Sequence, residues 1–341
     1  MERLPLIGGK NHRDPKMNII EVKDLKRIYY AKVGVLRRKV KEVLALDGIN
    51  FGVSQGELFG LLGPNGAGKT TTVKILTTLL TPTAGQAYVL GYDVVREAEQ
   101  IRPQIGFIFG GERGLYWRLS GYDNLVYFAN LYHIQPDVQK KRIPELMELV
   151  GLKGRGNEKV QGYSRGMKQR LHIARTLLHD PEVLFLDEPT MGLDPVGARE
   201  LRQAIKNLQV EKKTILLTTH YMFEADAMCQ RIAVINHGKI VALDTPAGLK
   251  NYVQDLSIVE IEVFGIPSEA IQSIQTLEGV DMVSIENRDQ KQALHIHSSD
   301  GSGIVAPVVS TLQNMGLRIG NVVVREPSLE DAYVRLVGGE I

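Results

Sequence analysis

The sequence predicts an α/β fold with a smaller α+β domain behind it, and three observations carry that expectation. The wholly apolar segment Leu58–Leu62 leads into a glycine-rich stretch and then into helical periodicity over residues 69–80. Two further buried-strand segments, Val183–Asp187 and residues 214–218, flank a helical pattern over residues 195–208, the alternation expected of a parallel sheet. After about Tyr252 that alternation stops, and strands and helices follow in a different order.

Residues 1–16 mix Pro, Gly, His, Arg and Asp without an apolar run. They are expected to form a loose extension, with Met17 as an alternative start. Residues 17–22, 43–53 and 85–91 alternate or carry β-branched side chains and are expected strands. Helices are expected over 120–133, 136–150 and 165–179. Each has apolar residues three and four apart, as with Leu125, Phe128, Ala129 and Tyr132 in the first. Residues 232–235 and 240–243 flank Asn236-His237-Gly238-Lys239 and read as a hairpin. Beyond it, strands over 256–264, 280–286, 293–297 and 317–325 combine with helices over 268–276 and 303–315. Their order, β-α-β-β-α-β, is that of a ferredoxin-like domain. A final helix over 328–337 follows Pro327. The expected domains are 17–252 and 253–341.

Composition narrows the function. A chain of 341 residues suits two domains. A net charge of +2 gives no global electrostatic basis for binding nucleic acid. Cys229 is the only cysteine, which excludes an intramolecular disulfide and fits a reducing cytoplasm. No apolar run approaches the ~20 residues of a membrane-spanning helix, so a role at a membrane requires docking on another protein.

Gly63-Pro64-Asn65-Gly66-Ala67-Gly68-Lys69-Thr70 fits the spacing G-x-x-x-x-G-K-[ST] at every fixed position, and Thr71 continues it into the helix. Glycines let backbone N–H groups converge on phosphate oxygens, and the helix adds the positive end of its dipole. Lys69 is expected to neutralise the terminal phosphates and Thr70 to ligate Mg²⁺. Asp187 ends an apolar strand, where a carboxylate can hold Mg²⁺ through water opposite Thr70. Glu188 can take a proton from an attacking water as general base. His220 follows the strand over 214–218, where a neutral imidazole can bond the γ-phosphate or orient that water.

Ser164-Arg165-Gly166-Met167 resembles the signature of the ATP-binding-cassette (ABC) ATPases, Leu-Ser-Gly-Gly-Gln, at the Ser and the second Gly. Tyr163, Arg165 and Met167 replace its other positions. The segment opens a helix, whose first N–H groups attract an anion. Gly192-Leu193-Asp194 is similar to the family's D-loop, His220 to its switch histidine, and Tyr29, with Tyr30 as the alternative, to its adenine-stacking aromatic. The resemblance covers roughly residues 17–249. It implies a P-loop ABC core with an antiparallel β subdomain and a helical subdomain. It also implies ATP and Mg²⁺, and a head-to-tail homodimer with each Lys69 loop facing the other copy's Ser164 and Gly166. Within the family the chain resembles ATPase subunits of the daunorubicin-resistance and sodium-extrusion type, through Thr219–Met222 and a small domain ending in Pro327-Ser328-Leu329-Glu330-Asp331. That implies a separate membrane permease and a peripheral place on the cytoplasmic face of the membrane. Soluble ABC ATPases of translation or DNA metabolism are the other reading. They usually carry two cassettes or a long insertion, and this chain has neither. One departure stands out: the family's glutamine after residues 105–108 is missing, and Gly110, Gly111 and Glu112 occupy the region.

Two further features read as structural. Residues 32–41 carry Lys32, Arg37, Arg38, Lys39 and Lys41 without an acid. They are expected to be a solvated, mobile insertion rather than a lipid-headgroup contact. His295 and His297 share one face of an expected surface strand, with no third ligand nearby to make a metal site.

Overall fold

The computed structural model describes residues 18–33, 39–109, 114–210, 212–253, 257–288, 291–298 and 301–337. The chain divides into two compact units, Met1–Leu243 and Asp244–Ile341.

The first unit holds two sheets. One is built from β1 (Asn18–Val33), β2 (Lys39–Ser54), β4 (Ala84–Val89) and β5 (Tyr92–Asp93) in the order β2-β1-β4-β5, and its pairs are antiparallel. The other runs β10-β9-β3-β8-β7-β6. It comprises β3 (Leu58–Leu62), β6 (Ile105–Ile108), β7 (Val183–Asp187), β8 (Thr214–Thr219), β9 (Arg231–Asn236) and β10 (Lys239–Asp244). Strands β9, β3, β8, β7 and β6 are parallel, and β3, β7 and β8 are buried at every position. That is why their sequences are continuous apolar runs: both faces of a parallel sheet are covered. His237 and Gly238 both take positive φ in the turn from β9 to β10, the geometry of a tight hairpin.

The helices of this unit are α1 (Lys69–Leu76), α2 (Ala98–Ile101), α3 (Gly121–Leu131), α4 (Pro136–Leu149), α5 (Arg165–Thr176), α6 (Pro195–Val210) and α7 (Met222–Met228). Helices α3, α4 and α5 pack on one another as a helical layer. A core of Ile20, Leu46, Val53, Phe59, Leu61, Val73 and Phe185 fuses the sheets through α1, with the rings of Phe51 and Phe59 stacked at 5.4 Å. Each such side chain contributes about 1.5–3 kcal/mol on burial.

The second unit contains α8 (Pro246–Asn251), β11 (Ser257–Phe264), α9 (Ser268–Gln275), β12 (Val280–Arg288), β13 (Lys291–Ser298), α10 (Gly301–Asn314), β14 (Arg318–Arg325) and α11 (Leu329–Val337). Its antiparallel sheet has the order β12-β13-β11-β14, the arrangement that β-α-β-β-α-β implies. Val259, Ile261, Leu294 and Ile296 pack one face against Ile274 of α9 and Val308 and Leu312 of α10.

Several expectations change. Helix α1 stops at Leu76 rather than residue 80, because Thr78 turns to φ +62°. Strand β6 was not expected, although its apolar Ile105, Phe107 and Ile108 could have announced it. Where it is described, the basic stretch over 32–41 is strand: Lys32 pairs with Val40 and Val33 with Lys39, continuing the β1–β2 ladder. His295 and His297 do not lie on a surface strand. Strand β13 is interior to its sheet, and His297 is only 2% exposed. The break between units falls at Leu243, ahead of the expected 252, because α8 packs on α11.

Candidate active site

The site grows from the C-terminal ends of β3, β7 and β8, where a parallel sheet opens its crevice. The loop after β3 must be tight. A Cβ on Gly63 would strike the Ile235 carbonyl, and one on Gly68 would come within 2.7 Å of the Ala45 carbonyl. Gly66, at φ +85°, faces open space instead. No side chain caps α1 and no acid sits in its first turn, so its leading N–H groups are available to an anion. Pro64, Asn65, Gly66, Gly68, Lys69, Thr70, Thr71 and Glu188 line the resulting cleft. Ala67 is buried behind it, and its carbonyl accepts from Gly238.

Charge converges on this cleft. Lys69, 4% exposed, donates to the carbonyls of Gly63 (2.6 Å) and Pro64 (3.1 Å) and pairs with Glu188 Oε1 at 2.9 Å. Burying an ammonium group is costly without such partners. Thr70 Oγ1 donates to Asp187 Oδ2 at 2.8 Å, and Thr218 Oγ1 donates to Asp187 Oδ1. Glu188 adopts φ +48°, a conformation that costs a non-glycine residue ~1–2 kcal/mol. Its N–H is held by the Thr218 carbonyl (3.1 Å) and hydroxyl (3.0 Å). The turn brings its other oxygen within 2.9 Å of His220 Nδ1. A carboxylate bonded to an imidazole beside a phosphate-type loop can accept and relay a proton. Thr70 and Asp187 together offer the hard oxygens that Mg²⁺ prefers. Among the described residues there is no group of three His, Cys, Asp or Glu that could hold a metal.

Tyr29 lies beside the loop, with its hydroxyl 3.4 Å from Thr71 Oγ1 and the Arg27 guanidinium 4.8 Å over its ring. Tyr30 is 62% exposed. Ser164, Gly166 and Asp194 form a separate group that does not line the cleft. Ser164 caps α5 by accepting from Met167 N at 3.2 Å and is exposed. Gly166 packs against Gly197, where an added Cβ would sit 3.3 Å from Cα. Asp194 accepts from Gly197 N at 2.8 Å and so caps α6. Sequence reading missed Thr218, whose position at the end of a buried strand was its only signal. Gly110, Gly111 and Glu112 lie outside the described residues.

Residues 46–191 match the family model described as ABC transporter. The chain is 38% identical over 312 residues to the daunorubicin resistance ATP-binding protein DrrA2 of Streptomyces coeruleorubidus, covering 91% of this chain and 95% of that protein. The chain belongs to the ATP-binding subunits of ABC transporters. This ABC ATPase is also 33% identical to the linearmycin resistance ATP-binding protein LnrL of Bacillus subtilis (strain 168), over 86% of this chain and 93% of that one. Among solved structures it is similar to the dimeric, post-hydrolysis state of the ATP-binding cassette MJ0796 bound to ADP and Pi. That match has a TM-score of 0.58 and 26% identity, over 66% of this chain and 98% of the other. As an ABC ATPase, it is an ATP hydrolase.

Proposed function

We propose that this ABC ATPase powers a drug-resistance type of exporter through a separate permease, from the cytoplasmic face of the membrane. Among the described residues no helix is long and apolar enough to cross a bilayer, which supports a transport path on another chain. The relatives named for daunorubicin and linearmycin resistance support an exporter.

The observation that carries the mechanism is the chain Lys69–Glu188–His220 at the mouth of the phosphate loop. Residues 63–71 cradle the phosphates of ATP, and Tyr29 stacks on its base. Lys69 exchanges its carbonyl partners for phosphate oxygens. Glu188 takes the proton of the attacking water, and His220 holds Glu188 in register and hydrogen-bonds the terminal phosphate. Thr70 and Asp187 would hold Mg²⁺, which neutralises charge developing on the phosphates. Ser164 and Gly166 serve the copy of this chain packed head to tail, because within one chain they do not line its cleft. Asp194 links the two sites across that dimer. Closure on ATP and reopening after hydrolysis move the permease. The C-terminal unit is an accessory domain.

Glu188→Gln tests the assignment. It should bind ATP normally and lose turnover by about 10²–10⁴-fold, the usual contribution of a general base. It should also accumulate as an ATP-bound dimer in gel filtration. Hydrolysis within a few-fold of wild type would remove Glu188 from this role.

A further inference from the structure

Behind the hydrolytic pair lies a buried carboxylate to which the mechanism assigns no part. Glu224, on α7, is 3% exposed. Its Oε2 accepts from Thr190 Oγ1 at 2.7 Å and from Thr219 Oγ1 at 3.2 Å, and its Oε1 accepts from Arg202 Nη1 at 3.0 Å. Each donor comes from a different segment of the site. Thr190 lies two residues after Glu188. Thr219 immediately precedes His220, and its hydroxyl also accepts from Tyr221 N at 3.0 Å, fixing the turn in which His220 sits. Arg202 belongs to α6, the helix that Asp194 caps.

The backbone ladder between β7 and β8 ends at Asp187 and Thr218. One further backbone bond, from Glu188 N to the Thr218 carbonyl, follows it. Beyond that point the side chains must hold the two strand ends together. We infer that Glu224 is a positioning residue. It ties the segment after Glu188 to the segment carrying His220, and it couples both to α6 and the Gly192–Asp194 stretch. Glu224 touches neither the phosphate loop nor the reacting atoms, so it acts through the 2.9 Å contact between Glu188 and His220. A carboxylate suits the place because it offers acceptors to three donors at once, and Arg202 balances its charge. In an amide of the same shape, an NH₂ group would have to face one of those donors.

The inference rests on reading Glu188 and His220 as the hydrolytic pair, and the experiment separates the two claims. Steady-state ATP hydrolysis, ATP affinity and thermal melting are measured on the full chain for Glu224→Gln, Thr190→Val, the double variant, Thr190→Ser and Glu188→Gln. Glu224→Gln and Thr190→Val should each lower kcat about 10- to 100-fold, the effect of misplacing a reacting group by up to an ångström. Both should leave ATP affinity close to wild type, and the melting curves check that each variant is folded at the assay temperature, so that kcat is read per folded molecule. The double variant should be no slower than the slower single one, because both cut the same tie. Thr190→Ser, which keeps the hydroxyl, should recover turnover. Wild-type kcat in Glu224→Gln or Thr190→Val overturns the inference. So does a loss of ATP affinity that parallels the loss of kcat, or a multiplicative loss in the double variant. If Glu188→Gln is inactive while the Glu224 and Thr190 variants turn over normally, this inference alone fails. If Glu188→Gln itself turns over, the reading of the pair fails.

Discussion

Two clusters of buried charge, one in each unit, are built in opposite ways. In the first, charged groups converge on one point. Lys69 leans on loop carbonyls and Glu188, the first turn of α1 has no cap, and Glu188 holds a left-handed conformation to reach the same place. In the second, charge is neutralised where it stands. Arg325 grips Asp331 through two nitrogens at 2.6 and 3.2 Å, and Ser328 donates to the same carboxylate through its N–H and hydroxyl. Burial works against the charge on Asp331, but the bonds from Arg325 and Ser328 outweigh it and hold the carboxyl below its usual range. His295 sits 3.4 Å from Glu286 on the neighbouring strand. The first cluster is convergent, strained and uncapped, as a reacting site is, whereas the second is satisfied within itself.

Removing one cation from each unit puts that contrast to the test. Lys69→Ala should weaken ATP binding by about 100-fold, since charged hydrogen bonds to phosphate are lost, with little change in melting temperature. An unchanged binding isotherm would erase the distinction. Arg325→Met should do the reverse. It strands the buried Asp331 and should cost about 2 kcal/mol in denaturant unfolding, a figure already reduced for the partial exposure of Arg325. Turnover per folded molecule should not change. A drop in kcat instead would give the second unit a part in hydrolysis.

Acid should reach the first unit through a residue outside its chemistry. His172 on α5 is buried, its Nε2 has no hydrogen-bond partner, and burial, helped by the Arg175 charge, lowers its pKa to about 4. The unfolded chain, with a value near 6.5, binds the proton more readily over that window. The stability is therefore complete above the unfolded value and is lost as pH falls toward 4, by about 3 kcal/mol on the way. His172→Leu should flatten this part of the pH–stability curve. It should leave a smaller acid loss from His297, whose pKa burial also lowers although Asp331 opposes the shift. The smallest effect belongs to truncation. A chain ending at Leu243 should fold and bind ATP within about two-fold of the full chain, because every residue of the site precedes that point. An insoluble product, or one that does not bind nucleotide, would join the two units energetically.

Much of this was legible in the sequence for physical reasons. A phosphate cradle needs glycines at fixed spacing, a buried parallel strand needs an unbroken apolar run, and both can be read along the chain. The β-α-β-β-α-β order likewise foretold the second sheet, since right-handed crossovers leave few ways to close it. Other features depend on groups far apart in sequence, as with Thr218 and Asp187, 31 residues apart, or Glu224 and Thr190, 34 apart. No local pattern links such pairs. The twin histidines mark a further limit: alternation put His295 and His297 on one face and the element order made β13 an interior strand, but neither says which face is covered, and His297 is only 2% exposed.

The sequence by itself determined most of the elements and the residues on offer: the glycine-rich loop, the strand-end carboxylates, the histidine after β8 and the serine that opens α5. Their spacing is local, and local sterics and hydrogen bonding fix it. Only the tertiary structure decided which of them meet. The parallel register of β3, β8 and β7 brings Lys69, Glu188 and His220 to one edge, while Ser164, Gly166 and Asp194 gather apart around Gly197. Register arises from burying whole faces against one another, a property of the assembled core that no single segment carries.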